Sequence, residues 1–209
     1  MKGLLLKDLY MAAKYCRSFL LVIVVFLSIS LLGEGNLFFG FYPCLLCGMI
    51  PASLLSYDER SKWNVYSGTL PYTRAQLVSG KYVFGLCIEA IIFVLSGVTQ
   101  AVRMNLAGTF TLEVWTSTMG ILLAMTLLTP AISLPFMFKL GVEKGRIAYY
   151  VALAVVCGVT AALTKVIETE IKTPSLFGSA LPMLCLGAIA LYAISWYLSI
   201  VWYQRREIS

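Results

Sequence analysis

Histidine is absent from all 209 residues. Its absence removes the commonest zinc ligand, the usual general base near neutral pH and the haem axial ligand together. Charge is scarce as well: 12% of residues are charged, where a soluble domain carries about 25%. There is no G-x-x-x-x-G-K-[ST] to cradle a triphosphate and no G-x-S-x-G to present a nucleophilic serine. An intramembrane lipid-modifying enzyme would need ionisable groups clustered at one depth, and the apolar runs hold no such cluster. Cysteine offers little more. Of six cysteines, at positions 16, 44, 47, 87, 157 and 185, five fall in apolar runs, where they read as small hydrophobes. Cys44 and Cys47 form a CxxC without a second ligand pair, so no metal site is expected.

What the chain has in quantity is hydrocarbon. Hydrophobic residues make up 60% of it and the mean hydropathy is +0.86, which identifies an integral membrane protein. Apolar runs cover approximately residues 18–32, 37–56, 82–102, 115–138, 147–164 and 182–203, each near the length of about 20 residues needed to cross a bilayer. The expected fold is therefore all-α, a single transmembrane domain over 1–209 with six membrane helices. Residues 33–36, with Glu34 among them, read as a tight polar turn that makes spans one and two a helical hairpin.

Orientation follows from the cations, which are retained on the cytoplasmic side. With the N-terminus inside, 13 of the 16 Lys and Arg residues fall in cytoplasmic segments, leaving Arg103, Lys165 and Lys172 outside. Both termini are expected in the cytoplasm. The net charge of +6 is then a topology signal, and no nucleic-acid partner is expected.

Four features interrupt the simple pattern. Residues 1–17 place Leu5, Leu9, Ala12 and Cys16 at helical spacing beside Lys2, Lys7, Asp8, Lys14 and Arg17. They read either as a helix lying in the inner interface or as a charged anchor for span one. The segment contains an aspartate and lacks a small-residue cleavage site, so it reads as retained rather than as a signal peptide. Pro130 and Pro135 fall within span four and predict a kink. Residues 165–181 suit an outer helical segment on or dipping into the membrane. Glu89 stands well inside span three, where an unpaired charge costs about 2.5–3.5 kcal/mol on insertion scales. It is a candidate for the substrate path, or else an interhelical polar contact.

The longest interruption is the charged stretch 57–81 between spans two and three. A helix from Asp58 would let Glu59 meet Lys62 and Trp63. Gly68 to Pro71 would stop it, and Thr73 with Gln76 has capping-box spacing for a second helix. Trp63, Tyr66, Leu70 and Tyr72 beside charges form a mixture suited to protein contact.

The pattern Asp58-Glu59 to Trp63, then Leu70-Pro71, Thr73-Arg74, Gln76-Leu77-Val78 and Lys81-Tyr82, resembles the cytoplasmic loop of six-helix permeases of type-2 ATP-binding-cassette exporters. With the opening MKGLLLKDLY and the six-span layout, the likeness extends over nearly the whole chain, and within that group it is similar to membrane subunits of phenol-soluble-modulin exporters. The resemblance implies a coupling helix in the loop, docked in a groove of a separate ATPase subunit. It also implies a second permease copy, identical or related, and a multi-pass position among the lipids of a bacterial cell membrane. Carried over by position, Asp58, Glu59, Arg60, Lys62, Trp63 and Tyr66 are the partner-binding candidates, while Leu70, Pro71 and Arg74 shape the turn. The chain itself is expected to bind no cofactor, with ATP and magnesium on the partner. An apolar lining favours amphipathic or hydrophobic cargo such as peptide toxins. A non-transporting membrane scaffold or immunity protein using the same loop is the alternative.

Overall fold

The computed structural model describes residues 2–32, 37–148, 150–151 and 176–205. The elements among them are α1 (Lys2–Tyr15), α2 (Arg17–Leu32), α3 (Leu37–Gly48), α4 (Ile50–Arg60), α5 (Trp63–Ser67), α6 (Arg74–Leu106), α7 (Leu112–Leu140) and α8 (Leu176–Arg205). No strand occurs among the described residues. Helix is what hydrocarbon demands, because an apolar run without water satisfies its N–H and C=O groups only within the segment. Among the described residues four helical stretches are long and apolar enough to cross a membrane: Gly40–Arg60, Arg74–Leu106, Leu112–Leu140 and Pro182–Arg205. Counting the bent pair α1 and α2 as one span makes five. Most of the predicted run 147–164, most of the segment 165–181 and the turn at Glu34 lie outside the described residues.

The first two helices meet at Cys16 with a bend of 71°. Hydrogen bonds from Cys16 N to Ala12 O and from Leu20 N to Cys16 O carry the backbone through it. The buried stripe of α1 is Leu4, Asp8, Ala12 and Cys16, and Leu9 is exposed. Of the expected stripe Leu5, Leu9, Ala12 and Cys16, the last two are buried and Leu5 packs against them, while Leu9 is exposed and Asp8 is turned inward beside Ala12.

Helix α4 carries the second span through to Arg60, past the boundary expected at residue 56. Lys62 then takes the left-handed conformation, φ 53°, which an L-residue adopts singly and not within a helix. At the far side, Thr73 Oγ1 accepts from Gln76 N at 3.2 Å and Gln76 Oε1 accepts from Thr73 N at 3.1 Å. The capping box is present as the spacing predicted, and α6 starts from it. Of the stretch 57–81, only residues 61–73 therefore lie between long helices, and they hold one five-residue helix, α5. Helix α7 continues from Leu112 to Leu140 with Pro130 and Pro135 inside it.

The contacts fix the helix directions. Arg74 Nη1 donates to Gln204 O at 2.9 Å and the Tyr82 hydroxyl lies 2.8 Å from Ser195 Oγ, so α6 and α8 are antiparallel. Cys185 Sγ meets Gly120 O, and the Phe138 and Tyr203 rings pack edge to face, so α7 and α8 run parallel and in register. The Tyr82 hydroxyl also contacts Ser199 Oγ at 2.7 Å. Hydroxyls joined across helices in this way are a common means of holding membrane helices together.

Close approach at small residues sets the spacing between elements. A Cβ on Gly48 would stand 2.8 Å from Thr129 Cβ, and one on Gly85 would stand 2.9 Å from Pro51 Cγ. Gly85→Ala should destabilise the chain by about 1–3 kcal/mol, the usual cost of overpacking. Pro51→Ala removes the obstructing Cγ, so adding it to Gly85→Ala should recover part of the loss in thermal unfolding of the purified protein. No recovery would mean that α4 and α6 do not meet at this point.

Candidate functional site

Helices α1, α4 and α6 converge at the end of the bundle that carries residues 61–73, and four charged side chains meet between them. Asp58 Oδ1 accepts from Lys7 Nζ at 2.7 Å, and its Oδ2 lies 2.6 Å from Lys81 Nζ. Asp8 Oδ1 lies 2.6 Å from Lys81 Nζ and 3.4 Å from Lys7 Nζ. Two carboxylates and two ammoniums thus alternate, and their formal charges cancel. Asp8, Asp58 and Lys81 are buried, while Lys7 is partly exposed. Such a cluster is a strong positional constraint, because each member is left unpaired in a poor dielectric if another moves. It joins the N-terminal helix to both helices that flank the loop.

The loop is fastened to this cluster. The Lys7 ammonium lies over the Trp63 ring at 4.1 Å from its centroid, a cation–π contact. Trp63 is half-buried and packs at 5.4 Å between ring centroids against Tyr66. Glu59 reaches past the end of α7, where its Oε2 accepts from Val142 N at 2.8 Å, and Arg74 ties the start of α6 to the end of α8.

The nine loop candidates thus divide by the direction they face. Asp58 points inward, Glu59 and Arg74 hold neighbouring elements, and Trp63 and Leu70 are half-buried. Arg60, Lys62, Tyr66 and Pro71 face outward, and Val65, not among the candidates, joins them. Tyr66 and Val65 are 58% and 59% exposed, side by side on α5. Between the end of α4 and the residues that follow α7, a cleft of about 500 Å³ is lined by Ser56, Glu59, Arg60, Gly141, Lys144 and Arg146 among others. In the sequence Lys7 and Asp8 stand out only as charges of the N-terminal helix and Lys81 only as part of the loop pattern; nothing local joins them, because the partners of Lys7 and Asp8 lie 51 and 73 positions away.

Over residues 3–204 the chain matches the family model described as ABC-2 family transporter protein. The chain belongs to that family. No curated protein and no solved structure matches it. As an ABC-2 family transporter protein it is the membrane component of an ABC transporter, and members of the family normally work with a separate ATPase subunit. Glu89 stands apart from the charge cluster: it is buried in α6, eight residues beyond Lys81 and so about 12 Å along the helix axis. Among the described residues no group of three or more His, Cys, Asp or Glu is placed to hold a metal ion.

Proposed function

We propose that this chain is the permease subunit of an exporter that moves an amphipathic or hydrophobic cargo, peptides among them, out of a bacterial cell. In this reading ATP and magnesium are bound by a separate ATPase, which docks on residues 58–74. Two permeases, identical or related, form the path within the lipid of the plasma membrane. The observation that carries the reading is the mechanical continuity at the loop. A push on α5 reaches α1 through Trp63 and Lys7, and reaches α4 and α6 through Asp58 and Lys81. ATP-driven movement of the partner would then tilt these helices together, alternately opening the path inward and outward.

Six spans, with both termini cytoplasmic, belong to this reading. Helices α7 and α8 run parallel, which is the relation a six-span layout requires of its fourth and sixth spans. The 13-to-3 division of cations supports the orientation.

The test is isolation of the tagged permease from its own cells and identification of any co-purifying ABC ATPase, combined with impermeant thiol labelling of engineered cysteines in whole cells. A stable complex is expected, with labelling near Glu34, Asn105 and Lys172 and protection near Lys62, Lys144 and Arg206. External labelling at Lys62 would place the loop on the wrong face and remove the coupling role.

A further inference from the structure

Two cavities share Arg146 as a lining residue. The larger is the cleft of about 500 Å³ between the end of α4 and the residues that follow α7, and three exposed cations line it: Arg60, Lys144 and Arg146. None of the three is ion-paired among the described residues. Of the two acids there, Glu59 already accepts from Val142 N and Glu143 is exposed, so the cleft keeps a cationic excess. The smaller cavity, of about 300 Å³, lies between α2, α4 and α7, with Phe19, Met49, Ala52, Met137 and Tyr150 among its walls. The Ser53 hydroxyl beside them donates to Met49 O at 3.0 Å, which leaves the groove largely apolar.

Aromatic and basic side chains gather where a membrane protein meets the lipid headgroups. Lys139, in the last turn of α7, lies over the Trp202 ring at 4.5 Å from its centroid, and the cleft begins at the next residue, Leu140. The cations of the cleft therefore stand at headgroup depth, with an apolar groove beside them. A ligand complementary to that pairing has an anionic head and a hydrocarbon tail. A cavity of roughly 150 Å³ admits a molecule the size of benzene, so a groove of about 300 Å³ takes roughly a dozen carbons of an acyl chain. We propose that the two cavities together hold an anionic phospholipid of the leaflet on the loop side. Its phosphate lies against Arg146, Lys144 and Arg60 flank the headgroup, and one acyl chain follows Phe19, Ala52 and Met137. A zwitterionic lipid brings a cation of its own among these three, so charge separates the two kinds of lipid. The site goes beyond the export reading and depends on neither the ATPase nor the cargo.

The test titrates the full-length permease in detergent, without any ATPase, and counts bound molecules by native mass spectrometry. The ligands are dioleoyl phosphatidylglycerol, dioleoyl phosphatidylcholine and glycerophosphoglycerol, which is the anionic headgroup without its chains. Wild-type protein should bind the first phosphatidylglycerol at least about tenfold more tightly than phosphatidylcholine and should not retain the chain-free headgroup. Each cation beside an anionic lipid is worth about fivefold, equivalent to about 1 kcal/mol. Arg146→Gln should therefore reduce the preference about fivefold, and Arg146→Gln/Lys144→Gln should abolish it; both positions are exposed, so the fold should survive. Arg205→Gln removes a cation at the end of α8 that lines neither cavity and should leave the preference unchanged. Equal affinity for the two lipids in the wild type overturns the proposal, as does a preference that survives the double variant or falls as far in Arg205→Gln. Retention of the chain-free headgroup as tightly as the lipid overturns it in favour of a soluble anion. An unchanged lipid preference with weakened ATPase binding in the double variant overturns it in favour of a protein contact.

Discussion

Asp8→Ala is expected to destabilise the folded chain by about 3–5 kcal/mol, the cost of breaking a buried ion pair from one side. An exposed ion pair is worth only about 0–1 kcal/mol, so the expected size follows from burial. Asp8 is 0% exposed and touches both lysines of the cluster. Removing it leaves two ammoniums with the single carboxylate of Asp58. The double variant Asp8→Ala/Lys81→Met restores charge balance, because Lys7 and Asp58 remain paired at 2.7 Å. It should recover more than half of the loss in thermal unfolding followed by size-exclusion retention. Additive damage in the double variant would show that the four groups do not act as a unit.

How much of this could be read from the sequence depended on whether the signal was local. The capping box at Thr73 and Gln76 was visible because its two partners are three residues apart. The membrane helices were visible because hydropathy is a property of a window. Asp58 to Arg60 read in the sequence as the start of a separate loop helix because they are charged, but they sit on the last turn of α4, and Asp58 faces inward from it. The inward turn of Asp8 on α1 is hidden for the same reason. Asp8 counts as polar in any hydropathy scheme, yet it is buried because Lys81 arrives from a different helix 73 positions later. Glu89 was conspicuous as an acid within a span, but its burial depends on how α6 meets its neighbours, which no periodicity reports.

The second large effect concerns the outer face of α5. Replacing Tyr66 and Val65 together with alanine should weaken ATPase binding by about thirtyfold or more. An aromatic anchor commonly costs about 2 kcal/mol when truncated at an interface, and each 1.4 kcal/mol is about tenfold in affinity. Both side chains are more than half exposed, so their removal should leave the fold intact. Trp63→Ala is the less discriminating variant, because its ring also supports Lys7; it should reduce both stability and binding. Lys62→Ala, a single exposed charge, should change affinity several-fold at most. Retained binding in the Tyr66/Val65 double variant, with retained folding, would move the interface away from α5.

The central claim is that this chain is the membrane half of a two-part, ATP-driven exporter whose force enters at residues 61–73. ATP turnover by the partner ATPase, measured in proteoliposomes with wild-type permease, with the Tyr66→Ala/Val65→Ala variant and with no permease, tests it most directly. Wild-type permease should raise turnover, amphipathic cargo should raise it further, and the double variant should fall to the level of the ATPase alone. Turnover that is the same in all three preparations would contradict it.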